Sequence, residues 1–215
     1  MPVLSRPDAR IAYTRSGTGP AVLLIQGVGV VGEGWRPQVE ELQREFTVVS
    51  FDNRGIGAST MDAPAPTIQA MAADALAIMD AEGLTRFHVS GHSMGGIIAQ
   101  EVALIAPRRV KSLAFLCTFS YGRESVSLTP GMVVLGLRTR VGTRAMRRRA
   151  FLRIVMPDDY LATVDRDALA RRLGDLFGHD IGTSPPIVMQ QLKAMAAYDA
   201  RPRLASLASI PTLVA

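Results

Sequence analysis

Gly91-His92-Ser93-Met94-Gly95 is the stretch that decides the fold. It matches the pattern G-x-S-x-G, in which a serine stands on a very tight turn between a strand and a helix. Small residues two positions before and after the serine let the backbone fold back without a side-chain collision. The serine hydroxyl is then exposed above the sheet. We call residues 91–95 the elbow.

The residues on either side of the elbow fit such a turn. Residues 86–90, with the sequence Arg-Phe-His-Val-Ser, predict a strand. A helix is predicted from Met94 to Ala106, because apolar residues recur there at helical spacing, namely Ile97, Ile98, Val102 and Ile105. Strand, turn and helix therefore follow one another in the required order, which a chance match to the pattern does not provide.

Predicted strands and helices alternate through the first 120 residues. Residues 21–25 form a wholly apolar run, which is typical of a strand buried on both faces of a parallel sheet. Other strands are predicted at 11–15, 46–51 and 110–119, and helices near Pro37 and over 67–82. This alternation predicts an α/β fold, with a mostly parallel sheet and flanking helices.

The pattern changes after about Ser120. Residues up to about Arg203 predict mainly helices, and the stretch 184–186, Ser-Pro-Pro, opens the last of them. Residues 210–215 then begin a new apolar strand. We therefore expect a helical insertion within the α/β core.

Composition indicates a folded protein without a membrane span. The chain has 215 residues, of which 48% are hydrophobic, enough for one domain with a substantial core. No apolar run reaches the roughly 18 residues of a transmembrane helix, and residues 1–7 lack the apolar stretch of a signal peptide. We therefore expect a cytoplasmic protein. Cys117, the single cysteine, lies in an apolar run and is predicted to be a buried core residue, with a reactive thiol as the alternative.

The net charge of +5 is concentrated in one segment. Seven arginines lie between positions 138 and 153, namely Arg138, Arg140, Arg144, Arg147, Arg148, Arg149 and Arg153. Such a cluster fits nucleic acid, an anionic membrane or an acidic ligand as a partner, but it is more typical of a solvated helix face on a surface insertion. We expect no nucleic acid partner, because no aromatic residues interleave with the arginines to stack on bases.

A second glycine pattern offers a competing interpretation. Residues 27–32 fit G-x-G-x-x-G after a strand, and Asp52 lies twenty residues beyond Gly32, the spacing of a dinucleotide-binding site. Residues 33–37 are, however, a poor start for the helix that would hold a pyrophosphate. Asp52 also begins the sequence Asp-Asn-Arg-Gly-Ile-Gly-Ala-Ser at 52–59, which has a better explanation.

Three motifs in order resemble those of the α/β-hydrolase superfamily, in its branch of small capped esterases and lactonases. Gln26-Gly27-Val28-Gly29 follows a strand where the family has His-Gly and its oxyanion loop. The stretch 52–59 is similar to the family's D-x-R-G-x-G-x-S turn, and the elbow resembles its nucleophile turn. Gln26 departs from the family's usual histidine, which puts the support of the oxyanion loop in doubt.

The resemblance implies a serine hydrolase. Ser93 would be the nucleophile, and the backbone N–H groups of Val28 and Met94 would form the oxyanion hole. Serine, where dehalogenases and epoxide hydrolases carry aspartate, favours acyl transfer through an acyl-enzyme. The expected substrate is a small apolar ester or lactone, with no metal and no organic cofactor. Arg54 would be structural or, as the alternative, would bind an anionic substrate.

The resemblance also implies two domains and an incomplete catalytic triad. The core would be residues 1–121 plus 204–215, with a helical cap at 122–203 over Ser93. The family's acid and histidine lie beyond the strand at 210–215, as do its last strand and helix, so we expect a C-terminally truncated chain. None of the histidines present, His88, His92 and His179, is well placed to act as the base.

Two consequences of that incompleteness are open. The alternative function is a catalytically incomplete hydrolase fold that binds a ligand or a partner. A strand at 210–215 would also be an unprotected sheet edge, through which the chain could self-associate.

Overall fold

The sheet has eight strands in the computed structural model, which describes residues 1–62, 65–123 and 130–215. The strands are β1 (Val3–Arg6), β2 (Ala9–Ser16), β3 (Ala21–Ile25), β4 (Thr47–Phe51), β5 (Thr60–Met61), β6 (Phe87–His92), β7 (Val110–Leu116) and β8 (Thr212–Val214). Their order is β1-β2-β4-β3-β6-β7-β8, and β5 pairs with β2. From β4 to β8 all neighbours are parallel, whereas β1, β2 and β5 pair antiparallel.

Helices lie between the parallel strands, so the predicted α/β class is confirmed. They are α1 (Arg36–Leu42), α2 (Ile68–Ala81), α3 (Met94–Ile105), α4 (Pro130–Arg138), α5 (Arg144–Val155), α6 (Asp158–Thr163), α7 (Arg166–Phe177) and α8 (Ile187–Ala196). Short 3-10 turns cover Gly32–Trp35 and Leu204–Leu207. In the described ranges, no helix is long and apolar enough to span a bilayer.

The run at β3 is apolar throughout because helices cover the sheet on both faces. Leu23 and Ile25 pack in the main core with α2 and α3. Val22 and Leu24 point to the opposite face, where they pack with Trp35 and with residues of α1. Alternate side chains of one strand therefore fill two different cores, as the continuous apolar pattern predicted.

Two predictions along the sheet need correction. β7 ends at Leu116, three residues before the predicted end at Phe119. Cys117 is exposed and has a positive φ of 49°, so the prediction of a buried core residue is wrong. The chain leaves the sheet at this residue, which turns the thiol away from the core.

Helices α4 to α8 follow β7 along the chain and have a small apolar cluster of their own. Its members are Leu152, Leu161, Ala170, Leu173 and Ile181. Met195 on α8 and Tyr198 just after it belong instead to the main core. This helical group is therefore anchored to the α/β core through α8. Residues 124–129, which fall in the predicted cap, lie outside the described residues.

Part of the arginine cluster ties these helices together. Arg148 on α5 donates two hydrogen bonds to the Asp180 carboxylate, at 2.7 and 2.6 Å. Arg144 lies 3.6 Å from the same carboxylate, and Arg153 lies 3.4 Å from Asp158. The hydrogen bond to Arg148 lowers the pKa of Asp180 to about 2. These arginines therefore have internal partners.

Candidate active site

Ser93 occupies a strained position between β6 and α3. Its φ is +54° and its ψ is −118°, in a region that costs a non-glycine residue about 1–3 kcal/mol. Its backbone N–H donates to the Leu116 carbonyl at 2.9 Å, and its carbonyl accepts from the Thr118 hydroxyl at 2.7 Å. β7 and the residue after Cys117 therefore hold the serine in this conformation.

The two outer glycines of the elbow are needed for close backbone contacts. A methyl group placed on Gly91 would lie 2.1 Å from the Gly95 carbonyl oxygen. One placed on Gly95 would lie 2.0 Å from the carbonyl oxygen of Ile25, at the end of β3. Only glycine allows the strand, the helix and the end of β3 to approach this closely. The turn predicted from G-x-S-x-G is thus present.

The segment after β3, residues 26–31, lies beside Ser93, and we call it the β3 loop. A methyl group placed on Gly27 would lie 3.2 Å from the Ser93 Cβ atom. Across the parts of the chain that the structure describes, no group accepts a hydrogen bond from the backbone N–H of Val28 or of Met94. The β3 loop and the start of α3 thus present two free donors next to the serine.

Gln26 supports the β3 loop from the core side, although it replaces the expected histidine. Its side-chain Oε1 accepts from the Gly27 N–H at 3.1 Å, and its carbonyl accepts from the Asn53 side chain at 3.1 Å. Gln26 and Asn53 are both buried. The departure from the family pattern therefore leaves the loop with hydrogen-bonded support.

The helical group holds the same loop from the other side. The Gly29 N–H donates to Gln191 Oε1 at 2.8 Å, and the Gly29 carbonyl accepts from His179 Nε2 at 2.9 Å. Val31 N–H donates to the Phe177 carbonyl at 3.4 Å. Nothing in the sequence pointed to Gln191, because a lone glutamine in a helix carries no motif.

The hydrogen bonds that the structure shows for the histidines go to groups other than the serine hydroxyl. His88 contacts the Ser112 hydroxyl at 2.7 Å, and burial, with a contribution from Lys111, lowers its pKa. Desolvation lowers the pKa of His92, whose Nδ1 lies 3.4 Å from a methyl group placed on Gly27. Among residues 1–62, 65–123 and 130–215, no histidine or carboxylate makes a hydrogen bond to Ser93 Oγ.

The turn after β4 is structural. The Asp52 carboxylate accepts from the Gly32 N–H at 2.7 Å and from the Ala58 N–H at 2.9 Å, so its oxygens bind backbone rather than a ribose. A 3-10 turn follows the glycine pattern in place of a phosphate-binding helix. These features argue against the dinucleotide interpretation.

Arg54, in the same turn, is buried and makes two hydrogen bonds to Asp74 at 2.7 and 2.8 Å. It also donates to Asp8 at 2.9 Å. These hydrogen bonds raise the pKa of Arg54, against the opposing effect of burial. Arg54 therefore links the turn after β4 to α2 and to Asp8, which is the structural role predicted from the sequence.

Comparison with known proteins places this geometry in one family. The family model described as the α/β hydrolase fold matches residues 20–215. A curated relative from Azorhizobium caulinodans, named carbamate hydrolase RutD, is 33% identical over all of this chain and 79% of its own length.

Solved structures agree. A hydrolase from Pseudomonas aeruginosa PA01 is 26% identical with a TM-score of 0.78, over 99% of this chain and 78% of that one. The enol-lactonase from Burkholderia xenovorans LB400 is 25% identical with a TM-score of 0.74, over 99% of this chain and 80% of that one. The chain therefore belongs to the α/β-hydrolase family of enzymes.

Proposed function

We propose that this protein is a serine hydrolase that cleaves carboxylic esters or lactones through an acyl-enzyme on Ser93. One observation carries the proposal: Ser93 stands at φ +54° on the strand-to-helix turn, beside the N–H groups of Val28 and Met94, which no described residue engages. A hydroxyl exposed on such a turn, next to two backbone donors, suits attack on a carbonyl carbon.

The chemistry follows from those groups. Ser93 Oγ attacks the carbonyl carbon, and the negative charge that develops on the carbonyl oxygen is stabilised by the N–H groups of Val28 and Met94. The proton that the Ser93 hydroxyl loses passes through solvent water to the alkoxy oxygen, which leaves as the alcohol, and the acyl group remains as an ester on Ser93. Water then hydrolyses that ester, which releases the carboxylic acid and restores the hydroxyl.

The surroundings of the site support a small apolar substrate. In this proposal residues 1–121 and 204–215 form the core, and residues 122–203 form the cap. α8 brings apolar side chains to the β3 loop and to the turn after β4: a methyl group placed on Gly29 would lie 2.9 Å from Val188, and one on Gly55 would lie 2.8 Å from Ile187. Neighbours named as lactonases share the fold, and an apolar roof suits an uncharged ester or lactone.

One observation favours a second candidate, a hydrolase fold that binds a ligand or partner without turnover. In the described part of the chain, no histidine or carboxylate makes a hydrogen bond to Ser93 Oγ through which it could take the proton. A serine without a base is a poor nucleophile, and binding with an oxyanion hole alone gives only about 10³–10⁴-fold acceleration over water.

Paired assays on the wild-type chain and Ser93→Ala separate the two functions. The enzyme proposal expects a fluorophosphonate probe to label the wild type at Ser93, and p-nitrophenyl butyrate hydrolysis to fall to background in Ser93→Ala. Equal hydrolysis in both proteins, with no labelling, would overturn it in favour of the binding function. Intact mass after labelling shows whether one probe has been attached.

We also propose that the chain self-associates through β8, which forms one edge of the sheet. Leu213 is 59% exposed and Val214 is 73% exposed, although both are apolar strand residues. An edge of this kind offers unpaired backbone groups together with an apolar surface. The cytoplasmic location stays a prediction from the sequence.

A further inference from the structure

Gly29 in the β3 loop is held on both sides of its Cα by side chains of the predicted cap. Its N–H donates to Gln191 on α8, and its carbonyl accepts from His179, which follows α7. His179 Nδ1 also lies 3.1 Å from the Asp180 carbonyl oxygen, and the shorter contact with Gly29 is a hydrogen bond in the tautomer that carries the hydrogen on Nε2. These partners lie 162 and 150 residues further along the chain, so they are contacts of the tertiary fold.

The contact with Gly29 leaves the other end of the Gln191 amide without a partner in the described part of the chain. Its side chain is 0% exposed, and its Nε2 has no hydrogen-bond partner in the part of the chain that the structure describes. The amide cannot be turned around, because its NH2 group would then face the Gly29 N–H, donor against donor. A buried donor without an acceptor destabilises a fold, so packing alone does not account for a glutamine here.

The contact lies one residue from the proposed oxyanion hole. The Gly29 N–H belongs to the peptide group that joins Val28 to Gly29, so holding it limits rotation about the Val28 backbone. Gly29 has a φ of +71°, a conformation that a free glycine loop leaves easily. Fixing both peptide groups of Gly29 therefore restricts the neighbouring Val28 N–H, whose own peptide group is also held where the Val30 N–H donates to the Gly27 carbonyl at 3.4 Å.

We infer that Gln191, assisted by His179, is a positioning residue that aims the Val28 N–H at the oxyanion formed on Ser93. The inference rests on the proposed function for its catalytic consequence. It makes the oxyanion hole depend on the predicted cap: when α8 moves away from the core, Gly29 loses its acceptor and the hole loses its geometry. Displacing a catalytic group by about 1 Å costs a rate factor of about 10².

Gln191→Met tests this role, with Gln100→Met as a matched control. Gln100 on α3 is 3% exposed and donates one hydrogen bond to the Phe119 carbonyl at 2.9 Å, and its Oε1 has no partner among the described residues. Both variants thus remove one buried amide that makes one backbone contact, but only Gln191 touches the β3 loop. A general loss of packing would affect the two variants alike.

Two measurements are made on each protein. The first is the fluorophosphonate inactivation constant kinact and the probe dissociation constant KI. In Gln191→Met, kinact is expected to fall by about tenfold to a hundredfold, less than the 10²–10³ typical of deleting an oxyanion donor, with KI unchanged. The second is hydrogen exchange of the Gly29 amide by NMR, which is expected to accelerate in Gln191→Met. Neither quantity changes in Gln100→Met.

Either of two results would overturn the inference: wild-type protection of Gly29 in Gln191→Met, or faster exchange together with a wild-type kinact. If the wild-type chain is not labelled, the proposed function fails, whereas Gly29 exchange still decides whether Gln191 holds the loop. Should Gln191→Met not fold, His179→Ala removes the second contact and is expected to lower kinact in the same direction.

Discussion

Removing the Asp74 carboxylate is expected to destabilise the fold strongly. Asp74 on α2 accepts from Arg54 at 2.7 and 2.8 Å and from Arg6 at 3.2 Å. The side chains of Asp74 and Arg54 are only 1% and 5% exposed. Asp74→Ala therefore leaves the Arg54 guanidinium buried, and its remaining partner among the described residues is Asp8, which is 45% exposed.

The magnitude follows from burial. Breaking a buried ion pair by removing one partner costs about 3–5 kcal/mol, and the remaining contact with Asp8 places Asp74→Ala near the lower end, at about 3 kcal/mol. With a urea m-value of about 3 kcal/mol/M for a chain of this size, the unfolding midpoint falls by about 1 M. Urea unfolding followed by circular dichroism measures this shift.

Two further variants make the test decisive. Glu41→Ala breaks an exposed ion pair, in which the Glu41 and Arg44 side chains are 69% and 70% exposed. This variant is expected to lose at most about 0.5 kcal/mol of stability. The double variant Arg54→Met with Asp74→Leu removes both charges and is expected to lose less stability than Asp74→Ala. The reasoning is refuted if Asp74→Ala shifts the midpoint no more than Glu41→Ala does.

Three other perturbations test separate parts of the molecule. Gly95→Ala is expected to abolish probe labelling, because its methyl group meets the β3 backbone. Gly136→Ala on α4 is the control: its methyl group has nothing within 4 Å, so labelling is expected to stay unchanged. Equal labelling of the two variants would contradict this reasoning. The hydrogen bond with Arg148 lowers the pKa of Asp180 from 3.8 to about 2. The Asp180 carboxylate therefore stabilises the fold fully above pH 3.8, and this stabilisation is lost as the pH falls towards 2. The difference in unfolding free energy between wild type and Asp180→Asn should therefore be smaller at pH 3 than at pH 5, and a constant difference would refute it. Leu213→Lys at the β8 edge is expected to shift the chain to monomer in concentration-dependent size-exclusion chromatography; an unchanged profile would remove β8 as the interface.

The parts of the fold that were predicted from sequence have local patterns. β3 is a continuous apolar run, and α3 has apolar residues at helical spacing after a distinctive turn. β1 and β5 were not predicted, because β1 alternates between exposed and half-buried positions and β5 has only two residues. Both exist through pairing with β2, which no local window of sequence contains.

The candidate site likewise has parts that local sequence predicts and parts that it does not. The conformation of Ser93 was predictable, because the glycines that it requires lie within two residues of it. The end of β7 was not, because residues typical of strands continue to Phe119 although the pairing with β6 stops at Leu116. The contacts of Gly29 with His179 and Gln191 join distant parts of the chain, so only the folded molecule reveals them.

The position of Cys117 makes the protein ready for spectroscopy without mutation. Its thiol is exposed, and Cys117 is the sole cysteine in the sequence. A maleimide dye would therefore attach at one defined residue. The next residue, Thr118, donates to the Ser93 carbonyl at 2.7 Å, so the dye sits one residue from a direct contact of the elbow. Changes in its fluorescence anisotropy would therefore follow ligands entering the site in real time, including ligands that are never turned over.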